Sequence, residues 1–143
     1  MKNLGLTALF LSLPLLGGCV VPVSVTPDLC REMRAQDTLQ IRMMFGQTRP
    51  SGLPITDDEW QTFVTSEITP YFPSGLTVFK ADGQWMNTVT HVVGREPSRI
   101  LWVVTPPDKN LQHNLRAIQA AYRQQFSQQA VGLTIQSGCS LFN

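Results

Sequence analysis

Few side chains in this 143-residue chain are of types that do chemistry, and their spacing excludes most reactions. His91 and His113 are the only histidines, and neither has a second ligand at metal spacing. No Cys-x-x-Cys occurs, so no metal is expected. There is no Gly-x-Ser-x-Gly elbow and no phosphate-cradling glycine loop. No cofactor is expected and no catalytic residue is assigned. One compact polar cluster remains, Arg95-Glu96 before Ser98, with the aromatics Tyr71, Phe72, Trp85 and Trp102. Arg95 offers a carboxylate-binding fork, and Glu96 a base or an acceptor. The competing reading is a hairpin end whose charges pair with each other or with solvent. The aromatics either line a pocket or pack a core.

The three cysteines do different work. Cys19 ends an apolar run from Leu4 to Leu16 that follows Lys2. The run is a leader's hydrophobic region, too short for the roughly 20 residues that span a bilayer. Leu16-Gly17-Gly18-Cys19 resembles the bacterial lipobox, in which the cysteine sulfur takes a diacylglycerol and a peptidase cuts just before it. The chain is thus read as a lipoprotein signal peptide over 1–18 and a lipidated, extended tether over 19–37. A single domain fills 38–143. Two or three acyl chains anchor a domain stably where one does not. Without Lys2 the charges balance, so neither nucleic acid nor an anionic lipid surface is an expected partner. The membrane is met through the lipid. Val20 stands where an inner-membrane retention signal would place Asp, which points to the outer membrane, facing the periplasm.

The elements that must position the polar cluster read from residue periodicity. Leu39, Ile41, Met43 and Phe45 alternate with Gln40, Arg42 and Met44, a half-buried strand. Thr56 and Glu59 form a capping box that opens a helix with the stripe Trp60, Phe63, Val64 and Ile68, ended by Pro70 and Pro73. Residues 74–86 are extended, with a turn or bulge expected at Asp82-Gly83. Residues 88–93 are read as a short strand. Residues 99–105 form a strand apolar on both faces. A second helix from Asp108 carries Leu111, Leu115, Ile118, Tyr122 and Phe126. Val131, Leu133 and Ile135 close a last strand.

This order predicts an α+β, ferredoxin-like βαββαβ sandwich: a four-stranded antiparallel sheet with two helices on one face. Its first and last strands are neighbours. Cys30 and Cys139 then fall at the same end of the sheet, and in an oxidising compartment they are expected to pair.

From Phe45 onward the chain resembles a bacterial family known only as a domain of unknown function, number 3574. The matching residues are Phe45-Gly46, Trp60, Phe63, the string TPYFPSGLTVFKADGQW (69–85), REPS (95–98), Ala121-Tyr122, Phe126 and Gln128. The resemblance implies a small exported protein or lipoprotein and supplies no activity.

The helix-free face of the sheet is expected to show Met44, an apolar row of the third strand, Gly132, Thr134 and Gln136. A partly apolar face asks for a cover: a second subunit, a small apolar ligand or the segment 86–94. The expected protein partner is a second copy or an envelope protein. Met44, Arg95, Glu96, Tyr71 and Trp85 are the candidate contacts. The leading expectation is a non-enzymatic binding domain of the cell envelope. The alternative is a small enzyme with its pocket in a barrel-like dimer. Replacing Cys19→Ala should move the protein from the membrane fraction to the soluble periplasm. Unchanged membrane retention, with no acyl mass on the wild-type N-terminal peptide, would contradict the anchor.

Overall fold

The computed structural model describes residues 28–142, so Cys19 and the leader lie outside the described residues. The elements are α1 (Asp28–Glu32), β1 (Gln36–Gly46), α2 (Asp57–Phe63), β2 (Thr77–Met86), β3 (Val93–Thr105), α3 (Leu111–Phe126) and β4 (Gly132–Ser140). The strands form one antiparallel sheet in the order β2-β3-β1-β4, the ferredoxin-like arrangement. α1 and the start of β1 fall inside the segment read as an extended tether, so the chain is ordered well before residue 38.

One face of the sheet makes the core. Ile41, Met43 and Phe45 of β1 and Leu101 and Val103 of β3 meet Trp60, Phe63 and Ile68 on one side and Leu115, Ile118, Tyr122 and Phe126 of α3 on the other. Phe45 is the hub: its ring lies 4.7 Å from Tyr122 and 5.2 Å from Trp60, both edge-to-face. Such pairs add to plain apolar burial because ring edges are positive and faces negative.

The capping box is present as expected. Thr56 Oγ1 accepts from the Glu59 backbone N–H, and Glu59 accepts from the Thr56 N–H. That bond, then the Arg49 side chain, holds the Glu59 carboxyl below the usual glutamate range. Helix α2 does not run straight to Pro70. A π turn over Val64–Ile68 and a 3₁₀ turn over Thr69–Tyr71 follow it. The Thr69 N–H and hydroxyl both reach the Val64 carbonyl. The widened turn keeps Val64 and Ile68 on the buried stripe.

Cys30 and Cys139 are disulfide-bonded, with Cα atoms 6.0 Å apart and a sequence separation of 109. Closing so long a loop limits the unfolded chain by roughly 4–5 kcal/mol in the chain-entropy model. Asp37 pairs with Cys139, so the bridge staples the end of the sheet where the described chain begins.

The β2–β3 hairpin corrects three expectations. No turn or bulge interrupts β2 at Asp82-Gly83; these residues pair with Pro97 and Glu96 in unbroken register. Glycine is needed there for close approach, since a Cβ on Gly83 would sit 2.9 Å from Ser98 Oγ. Residues 88–92 are the hairpin turn and not a strand. Asn87 Oδ1 accepts from the N–H groups of Val89 and Thr90, and His91 takes a left-handed φ of 55°. The Arg95-Glu96-Pro97-Ser98 run is therefore no hairpin end. It lies within β3, which begins at Val93. The second helix likewise begins at Leu111, after Asp108 Oδ1 has accepted the Asn110 N–H.

Candidate ligand cleft at the end of the sheet

Strand β1 stops at Gly46, opposite Ser98, but β3 continues back to Val93, paired only with β2. Pro97 marks the hand-over. Its carbonyl accepts the Gln47 N–H at 2.8 Å, but its ring nitrogen has no hydrogen to return. The Gln47 carbonyl instead takes the Ile55 N–H, and the chain turns away into α2. Beyond that point the edge of β3 is open.

Two buried side chains fix the end of β1. The Tyr122 hydroxyl donates to the Gly46 carbonyl at 2.7 Å. Gln47 Nε2 donates to the same hydroxyl at 2.9 Å and to the Phe45 carbonyl. Burial, first of all, pushes the Tyr122 phenol well above its ordinary value, so it stays a hydroxyl and keeps donating.

A cleft of about 590 Å³ opens along the free β3 edge. One wall is the hairpin: Trp85, Asn87, Arg95 and Glu96. The other is two loops, 48–50 and 127–130, latched by Gln128 Nε2 donating to the Thr48 carbonyl at 2.8 Å. Arg49 is committed to the framework. It pairs with Glu59 at 2.5 Å, donates to the Pro54 carbonyl and lies 5.5 Å from the Phe126 ring centre. Arg95 uses only Nε, toward Gln84 Oε1 at 2.8 Å, and its outer nitrogens have no partner among the described residues. The Glu96 carboxylate has no hydrogen-bond or ion-pair partner among the described residues either.

Glycines let these side chains lie flat on the sheet. A Cβ on Gly46 would stand 2.5 Å from Glu96 Oε1, and one on Gly94 would stand 2.6 Å from the Trp85 ring. The indole is thus laid over Gly94 while half its surface stays open (50%).

Three of the candidate residues, Trp85, Arg95 and Glu96, therefore line one cleft, Trp85 and Glu96 from one face of the hairpin and Arg95 from the other. Met44 lies farther along the same sheet face as Trp85 and Glu96, outside the cleft. Tyr71 stands apart in the 3₁₀ turn after α2, Phe72 is core, and Trp102 sits on the open face against Phe79. Sequence reading missed Asn87, Gln128 and the glycines. Isolated glycines inside a strand pattern are the one signal that points to such close approaches. Among the described residues no group of His, Cys, Asp and Glu has metal-site geometry, and no helix is long and apolar enough to cross a membrane.

The family model for a protein of unknown function, DUF3574, matches residues 40–142. The chain belongs to this family. No curated protein matches it. Among solved structures it is similar to a phage SAM lyase in complex with S-methyl-5′-thioadenosine. That likeness has 14% identity and a TM-score of 0.57, covering 69% of this chain and 80% of that one. The apo phage SAM lyase gives 14% and 0.52, covering 71% and 83%. At that identity the likeness concerns the fold alone.

Replacing Gly94→Val should push the Trp85 indole off the sheet. Tryptophan emission should shift to the red while far-ultraviolet circular dichroism stays unchanged. Emission identical to wild type would show that the indole does not rest on Gly94.

Proposed function

We propose that this DUF3574 member is a lipid-anchored protein of the cell envelope that binds a small molecule in the cleft of Trp85 and Arg95. One observation carries the reading. A half-exposed indole and a guanidinium with free outer nitrogens share one 590 Å³ cleft. That is a volume typical of small-ligand sites. The indole offers a flat apolar surface on one side of the β3 edge and Arg95 a fork for an anionic group on the other, so the ligand is a flat ring bearing a carboxylate or phosphate that reaches across that edge. Glu96 and Asn87 shape the wall.

The anchor and the cleft fit one geometry. The disulfide and the start of β1 occupy one end of the sheet, and Cys30 stands eleven residues after Cys19. The cleft occupies the other end, beyond Gly46. With a lipid on Cys19, the chain would enter the domain at the end away from the cleft.

A second reading, a small enzyme, has one specific support: the fold likeness to a phage SAM lyase in complex with S-methyl-5′-thioadenosine. The two readings differ in whether a bound molecule leaves unchanged.

Native mass spectrometry of the protein purified from its own envelope should show a retained small molecule. Trp85→Ala and Arg95→Ala should each lose it, by tenfold or more in occupancy, without loss of folding. A wild-type protein that carries nothing, or variants that retain the same mass, would contradict the binding reading.

A further inference from the structure

We infer that the helix-free face of the sheet pairs with a second copy of this chain across a two-fold axis. The register gives the face its relief, because antiparallel partners point to the same side. Phe79, Ile100, Met44 and Gly132 form one cross-strand row. Thr77, Trp102, Arg42 and Thr134 form the next row on one side of it. On the other side come Ala81, Ser98 and Gly46, then Gly83 and Glu96, then Trp85 and Gly94. Along β3 this face therefore reads Gly94, Glu96, Ser98 and then Ile100, Trp102, Val104. Apart from the Trp85 indole over Gly94, one half is small or acidic, and the other is bulky and apolar.

A two-fold axis lying in the face, across the strands at Arg99, exchanges those halves. Ile100 of each copy then sits over Ser98 of the other, Trp102 over Glu96, and Val104 over the Trp85 indole that covers Gly94. Ile100 meets a small residue, Trp102 an acidic one and Val104 an apolar ring, the self-complementarity an isologous interface requires. The strands of the two sheets remain near-aligned, as face-packed sheets prefer.

Charge points to the same operator. Arg42 and Glu96 both face this side. In one copy Arg42 Nη1 bonds only the Gln136 amide at 2.9 Å, and Glu96 has no partner among the described residues. Trp102 is the register partner of Arg42. The axis that sets Trp102 over Glu96 thus brings Arg42 within one strand spacing, about 4.8 Å sideways, of the other copy's Glu96. Two such pairs form.

The area suffices. Four strands are about 19 Å wide, the eight-pair β1–β3 ladder about 27 Å long, and the hairpin extends it. That is a projected face of roughly 500–700 Å², which a corrugated surface enlarges toward the roughly 800 Å² per partner of a standard interface. Phe79, 47% exposed in the single chain, would be covered. Trp85 and Glu96 belong both to this face and to the cleft wall, but the pairing rests on the register and charge of the face and needs no ligand.

The test uses the exported full chain carrying Cys19→Ala, so that no lipid contributes to association, in sedimentation velocity across 1–100 µM. A dimer is expected. Met44→Glu should shift the dissociation constant upward by at least a hundredfold with circular dichroism unchanged. Arg42→Glu and Glu96→Arg should each weaken the dimer about tenfold or more, and the double variant should restore it. A monomer throughout the range would overturn the proposal. So would single charge reversals without effect, or a double variant weaker than either single one.

Discussion

The distal half of this molecule depends on how β1 ends. The Tyr122 hydroxyl holds the Gly46 carbonyl, and Gln47 donates to that hydroxyl. The Tyr122 and Gln47 side chains are withdrawn from water and the Gly46 carbonyl partly so, and an unmatched buried carbonyl or hydroxyl costs on the order of 1–3 kcal/mol. Pro97 adds the second half of the constraint by offering β1 an acceptor and no donor. The ladder therefore stops at one residue. β3 continues without β1, and the space β1 would have filled becomes the cleft. Because Tyr122 also packs on Phe45, Trp60 and Phe63, the cleft's inner end is tied to the core.

The open face follows from the same strand. Leu39, Ile41, Met43 and Phe45 of β1 are consumed by the core, so Gln40, Arg42, Met44 and Gly46 must face away. Gly46 lets Glu96 lie against the backbone, and Gly132 does the same for Met44, where a Cβ would stand 2.6 Å from the thioether methyl. Absent side chains thus set the relief of the face as much as present ones do.

Legibility from sequence divided by range. The capping box of Thr56 and Glu59, the stripe of α3 and the alternation of β1 are local patterns, and each stands where periodicity put it. The strand order followed from topology. The hairpin did not, because its strongest local signal, Asp82-Gly83, has another use. Gly83 answers to Ser98, fifteen residues away, and that demand appears only once the strands are paired. The real turn was announced more weakly, by an asparagine able to accept two backbone N–H groups. The site was half legible. Arg95, Glu96 and Trp85 were identifiable by type, but the opposing wall comes from two distant loops joined by Gln128 and Thr48, for which no spacing rule exists.

Native-state hydrogen exchange on Tyr122→Phe tests the central claim most directly. The substitution keeps the ring and removes only the hydroxyl that holds Gly46. If that bond sets the end of β1, stability should fall by about 1–3 kcal/mol. Exchange should then quicken most at the amides of Gln47 and Ile55, which carry the hand-over to Pro97 and to the loop. Amides of β4 beside the disulfide should change no more than the global stability dictates. Unaltered protection at Gln47 and Ile55, in a variant as stable as wild type, would show that the end of β1 is held by something else.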